Sequence, residues 1–160
     1  MGDLGEFSLV DRTYLRVYRW RKIDPVPWTP LEKPLSDCRL ALVSSAAFVT
    51  PGQNAFDGSV RGGDWSFRGV PSDFPSADLI DTHRSDSFDH EGMVRDPNLA
   101  FPIDRVRELV ESGRIHSLGE EHISFMGSIT APGRLVRDTA PEIAHRLVEG
   151  QVDVALLVPV

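Results

Sequence analysis

The chain has 160 residues, 41% of them hydrophobic and 26% charged, and a formal net charge of −7. That is enough polypeptide for one core of ordinary composition. The acidic balance argues against a nucleic-acid grip, which needs a face of clustered Lys and Arg, and no run of about 18 apolar residues is present to span a bilayer.

Residues 1–23 read as a short amphipathic helix. Its basic residues Arg16, Arg19, Arg21 and Lys22 interleave with Tyr14, Tyr18 and Trp20, a pattern whose long stems cover apolar surface. The opening residues, with Asp3 and Glu6 and no apolar stretch, do not read as a secretory leader. A proline-rich connector follows over 24–37, which makes 1–37 one segment and 38–160 a second, α/β domain. The lone Cys38 excludes an internal disulfide framework and reads as an inert, partly buried thiol; a cytoplasmic location is expected.

The first convincing strand is Arg39-Leu40-Ala41-Leu42-Val43-Ser44-Ser45-Ala46-Ala47-Phe48, running into a Pro51-Gly52 turn. Residues 57–78 form a long Gly-, Asp-, Ser- and Pro-rich loop, with a short strand expected around Asp64-Trp65-Ser66-Phe67-Arg68. Leu79-Ile80-Asp81-Thr82-His83 suggests a further short strand. Pro102 to Ser112 predicts a helix, with Ile103, Val106, Leu109 and Val110 on one side and Gly113 as its stop. His122-Ile123-Ser124-Phe125-Met126-Gly127 is strand-like. A last helix carries Leu135, Val136, Ile143, Leu147 and Val148, and the interior Pro141 should split or kink it.

The run Val152 to Val158 is nearly continuous in apolar residues, the pattern of a parallel strand covered on both faces. Strand, helix, strand, helix, strand predicts an α/β fold: a parallel-sheet layer with flanking helices, an N-terminal helix and a long loop region. The last strand is expected to need a following helix. Without one, each uncovered Val or Leu forfeits roughly 1.5–3 kcal/mol, so the 160-residue product is expected to be oligomeric or aggregation-prone.

The densest polar segment runs from His83 to Asn98. His83, His90, Asp86 and Asp89 supply nitrogen and oxygen donors for a divalent metal, which opens a metal-dependent hydrolase as one reading, although their spacing fits no fixed ligand motif. Asx turns and local ion pairs of Arg84 and Arg95 with the acids account for the same residues structurally. A third reading is a small-carboxylate pocket, in a reductase or in a non-catalytic binding subunit: Arg84 and Arg95 are forked donors, and either histidine exchanges protons near neutral pH. The turn Gly127 to Gly133, between strand and helix, exposes N–H groups to an anion. Asp64, Trp65 and Arg68 are candidates for a pocket wall. His116, His122 and His145 read as surface or strand-edge residues.

Several stretches, taken in order, resemble one family. They are Asp64-Trp65-Ser66-Phe67-Arg68, His83-Arg84-Ser85-Asp86-Ser87-Phe88-Asp89-His90, Phe101-Pro102-Ile103-Asp104-Arg105, Phe125-Met126-Gly127 and the run from Val152 to Val160. From about residue 38 onward the chain is similar to the selenoprotein B components of glycine, sarcosine, betaine and D-proline reductases, and in size and layout to the shorter, D-proline-reductase-like members. The resemblance implies an oxidoreductase subunit that reductively cleaves a carbon–nitrogen bond with a dithiol/disulfide couple. It implies a selenocysteine or cysteine nucleophile just after the strand ending at Val160, a small amino-acid or amine substrate, and a pyruvoyl-bearing partner subunit. Asp64, Arg68, His83, Arg84, Asp86, Asp89 and His90 are the candidates for binding the substrate or supporting its site, and no catalytic nucleophile and no metal ligand are expected inside the 160 residues. The sequence stops before that redox motif, so a UGA codon is expected to follow Val160, and the domain is expected to be incomplete.

Overall fold

A computed structural model describes residues 8–18, 22–86 and 88–160. It divides into two units, 1–32 and 33–160. The first contains helix α1 (Leu9–Val17). There the Thr13 hydroxyl donates to the Leu9 carbonyl, and the Tyr14 and Tyr18 rings lie 5.5 Å apart, as residues one turn apart should. Arg19, Trp20 and Arg21 lie outside the described residues.

The second unit is built on strand β1 (Arg39–Ser44), whose run of apolar residues suits a position buried on both faces. Along one edge of β1 run β5 (Ser117–Leu118) and β6 (Glu121–Phe125), and along the other runs β7 (Val154–Val158), all parallel to it. The expected parallel α/β layer is therefore present. Beyond β6 the strand β3 (Phe67–Pro71) pairs antiparallel, beginning three residues later than the segment around Asp64 suggests. A two-stranded antiparallel ribbon, β2 (Phe48–Val49) with β4 (Ile80–Asp81), continues from the end of β1.

The two faces of β1 carry separate cores. Leu40 and Leu42 pack with Phe48, Phe101 and the inward residues Ile103 and Val106 of helix α3 (Ile103–Glu111). Val43, on the opposite face, packs with Ile123 of β6 and Ile143 of helix α4 (Ala140–Glu149). The β1-to-β5 connection thus crosses one face and the β6-to-β7 connection the other. Helix α3 follows the apolar spacing of the sequence; on α4 Ile143 and Leu147 turn to the core, while Val148, expected beside them, is exposed.

Pro141 does not split the last helix. A π-helical turn over Leu135–Thr139 widens the chain just ahead of it, and Pro141 enters α4 in the first turn, where a missing N–H costs little.

Strand β7 corrects one expectation. It pairs with β1 over five residues, but it is an edge strand rather than one covered on both faces. Leu156 is 41% and Leu157 68% exposed. The apolar run reports what the strand is suited to meet, and within these residues α4 lies over β1 and β6 instead.

Candidate functional site

In α/β sheets the carboxyl ends of the strands gather functional groups. At this edge β1 passes into Ala47, which holds a left-handed φ of 55°. The Ala47 N–H donates to Phe125 O at the end of β6, and its carbonyl accepts from both the Thr82 hydroxyl (2.7 Å) and the Thr82 N–H. That pair of bonds brings the segment beginning at Thr82 to the end of β1.

His83 comes next and is 8% exposed. Its backbone N–H donates to Asp81 Oδ1, and its ring stacks on Phe88 at 4.3 Å. Nδ1 accepts the Ser85 N–H at 3.2 Å, so the neutral ring carries its proton on Nε2. Nε2 is buried and has no hydrogen-bond partner among the described residues. Burial, together with the charges of His90 and Arg84, pushes this imidazole below its ordinary pKa, against an opposing pull from Asp81.

His90, 6.4 Å away between ring centroids, is held the other way. Nδ1 lies 2.5 Å from Asp81 Oδ2 and Nε2 lies 3.0 Å from the Ser85 carbonyl. Two acceptors flank one ring, an arrangement that only the doubly protonated imidazolium satisfies. The Asp81 carboxylate first and the Ser85 carbonyl second raise its pKa. Two neighbouring histidines are thus driven apart in charge: His83 neutral with a spare donor, His90 cationic with both N–H groups occupied.

The other expected site residues take structural posts. Asp89 caps helix α2 (His90–Arg95), its Oδ1 accepting from Gly92 N–H; that helix was not legible in the polar segment. Arg84 reaches the Gly58 and Val60 carbonyls at 3.3 and 3.2 Å, tying His83's segment to the 57–66 loop. Asp64 folds that loop, accepting from Asp57 N–H and from Ser66 N–H and hydroxyl. Burial opposes its ionisation, but the Ser66 hydroxyl and the two N–H groups outweigh that and lower its pKa. Arg68 lies 4.3 Å over the Phe56 ring and donates to the carbonyls of Asn54, Ala55 and Phe67. Asp86 is exposed near His90 and contributes to its raised pKa.

Among the described residues no three His, Cys, Asp or Glu side chains come together as a metal centre. His90 is committed to Asp81, and Asp89 to its helix cap. Arg84 and Arg95 form no ion pair with the nearby acids among the described residues, Arg84 being turned toward carbonyls instead. Sequence reasoning missed Asp81, Ser85 and Phe88. The alternation Asp81, His83, Ser85 was the available signal, since an acid two residues from a histidine shares its side of an extended segment.

His122 also differs from expectation. It is 0% exposed, and its Nδ1 accepts the Leu42 N–H. His145 pairs with Glu149 at 3.3 Å. Cys38 is fully buried at the amino end of β1, its thiol 3.3 Å from the Pro34 carbonyl. It lies at the far end of β1 from His83 and has no exposed surface, so it does not fit the part of an attacking thiolate.

A parallel sheet with helices on both faces, a polarised histidine pair beyond β1 and a buried lone cysteine define an α/β domain. The chain belongs to the glycine/sarcosine/betaine reductase selenoprotein B family, whose sequence profile matches residues 8–159. It is 37% identical over 136 residues to the D-proline reductase subunit gamma of Acetoanaerobium sticklandii, covering 84% of this chain and 54% of that protein. It is 28% identical over 137 residues to the sarcosine reductase complex component B subunit beta of Peptoclostridium acidaminophilum, covering 84% of this chain and 30% of that one. The chain spans about half or less of the length of these curated relatives. No solved structure matches it significantly. No helix among the described residues is long and apolar enough to cross a membrane.

Proposed function

We propose that this chain is the substrate-facing portion of a reductase subunit that opens a carbon–nitrogen bond of a small amino acid or amine such as D-proline, glycine, sarcosine or betaine. The observation that carries the reading is the family match across 8–159 joined to a histidine pair at the carboxyl edge of β1. In this reading the two electrons and two protons come from a dithiol, which ends as a disulfide. The nucleophilic selenolate or thiolate is supplied by polypeptide outside these 160 residues, since Cys38 does not fit the role. A pyruvoyl-bearing partner subunit, where one exists, activates the substrate amine.

His83 and His90 then have different tasks. His90, its charge balanced by Asp81 and both its N–H groups occupied, orients the segment rather than meeting the substrate. His83 keeps one N–H without an acceptor, and a buried donor left so costs about 1–3 kcal/mol. That cost is recovered if the Nε2–H donates to a carboxylate or carbonyl oxygen of the substrate. Arg84 ties their segment to the 57–66 loop.

The test is dithiol-dependent cleavage of D-proline, glycine, sarcosine and betaine by the chain reconstituted with the polypeptide that carries the nucleophile and with a pyruvoyl-bearing subunit. His83→Gln, which keeps a donor, should retain more activity than His83→Ala, with the difference in KM rather than in folding. Turnover of none of the four substrates, or identical kinetics for both variants, refutes the reading.

A further inference from the structure

The geometry points to a second polypeptide surface: the groove between α4 and β7 seats an amphipathic helix, followed by a strand that pairs parallel with the free edge of β7. We infer that its occupant is an α/β polypeptide, the counterpart of the part of the relatives that this chain does not match.

The groove has a volume of about 500 Å³ and is lined by Val43, Phe125, Ile143, Leu147, Ala155 and Leu157, among others. Its floor is the α4-side face of β7, from which Leu157 projects with 68% of its surface exposed. Its wall is the flank of α4 left over after Ile143 packs against Val43 and Ile123. Val154 and Val158, on the other face of β7, do pack against the Leu40–Leu42 core. One face of this strand is therefore packed in part within the chain, at Val154 and Val158, and the other, at Leu157, is left bare.

Handedness says what covers it. Crossovers between parallel strands are right-handed in nearly all sheets. The β6-to-β7 connection runs outward across β1 with its helix, α4, on the Val43 face. A further crossover of the same hand, moving outward again from β7, must lay its helix on that same face. That is the face on which the groove lies. The edge of β7 beyond β1 has no strand paired to it among the described residues, and an edge offering unpaired N–H and C=O groups is a template for another strand. The D-proline reductase subunit gamma has a little under half its length outside the matched region, enough for such helix–strand units.

Binding can be tested without any assay of reduction, so this inference stands or falls separately from the reductase reading. The 160-residue chain is co-expressed with the unmatched segment of the A. sticklandii D-proline reductase subunit gamma as the probe. A 1:1 complex is expected, with amide exchange over 154–158 slowed about tenfold or more. Leu157→Glu should weaken capture by about tenfold or more, while Leu99→Glu, on an exposed residue outside the groove, should not. Both variants change exposed side chains, and unchanged circular dichroism checks their folding. Absence of a complex, or capture unaffected by Leu157→Glu, overturns the inference. So does a dimer of the chain alone in which 154–158 is already protected, since the occupant is then a second copy.

Discussion

The backbone N–H of Leu42 donates to Nδ1 of His122 at 3.1 Å, so an imidazole stands where the ladder of the sheet lapses. From the pair Leu40–Leu118 to the pair Val43–Ile123, β1 advances three residues while its neighbour advances five, through Gly119 and Glu120. The two extra residues bulge the neighbouring strand and leave the middle of β1 without its regular partner on that edge. His122 restores the missing acceptor from the side chain, and its ring meets Phe101 edge-on at 6.2 Å.

That duty fixes a pH dependence. Burial, with the nearby Arg107 charge second, lowers the His122 pKa from 6.5 to about 4. Protonation would also displace the Leu42 N–H from Nδ1. Above pH 6.5 the ring is neutral in both folded and unfolded chains, and this residue makes no pH-dependent contribution. Between 6.5 and 4 the unfolded chain binds the proton and the folded one does not, so stability falls with pH, by up to about 3 kcal/mol from this group. Denaturant unfolding from pH 8 to 4 should show that loss. In His122→Ala this residue's share of the slope should disappear, and stability at pH 7 should fall by about 2–4 kcal/mol from the cavity and the orphaned Leu42 N–H. An unchanged slope in the variant would refute the assignment.

Much of the frame was legible because it rests on local periodicity. The spacing of Ile103, Val106 and Val110 and the apolar run of β1 placed a helix and a strand where they occur. What escaped depends on partners distant in sequence. His122 read as a strand-edge residue because nothing local announces a register slip that hands it Leu42, eighty positions away. Asp89 read as a possible ligand, yet it caps a helix only six residues long, too short to show a period. The apolar character of β7 was plain, but which side of it α4 leaves bare follows from the crossing of β6 over to β7. Of the candidate site, the two histidines were visible in the sequence. Their opposite charge states were not, since these depend on Asp81 and on which ring nitrogen faces the backbone of Ser85.

His90 should titrate above its ordinary value in the folded chain, because Asp81 and the Ser85 carbonyl both hold its cation. A raised folded pKa stabilises the fold fully below about 6.5, the unfolded value, and that contribution is lost as pH rises through the folded pKa. Asp81→Asn removes the carboxylate and should bring the His90 pKa down. His83, which Asp81 also pulls upward against burial, should move down as well. Imidazole proton shifts followed by NMR across pH 4–9 distinguish the two rings. A wild-type His90 midpoint at or below that of an unfolded histidine, or one that Asp81→Asn leaves in place, would contradict the paired geometry.

Two glycines with left-handed φ separate backbone strain from close approach. Gly113 ends α3 at φ +70° with nothing within 4 Å of where a Cβ would stand. Gly63 has φ +103°, and a Cβ there would lie 2.7 Å from both the Cα of Ile129 and the carbonyl oxygen of Ser128. It therefore marks the place where the 57–66 loop presses against the turn after β6, close to the segment that Arg84 anchors through Gly58 and Val60. Gly113→Ala should cost only the conformational strain, about 1–2 kcal/mol. Gly63→Ala adds a clash with backbone, which cannot rotate away, and should cost about 3 kcal/mol or more. If the loop then lifts, Arg84 loses its carbonyls and proteolysis should nick the chain between 57 and 66. Equal stability loss in the two variants, with no new cleavage in that loop, would show that the contact with Ile129 and Ser128 does not hold the loop down.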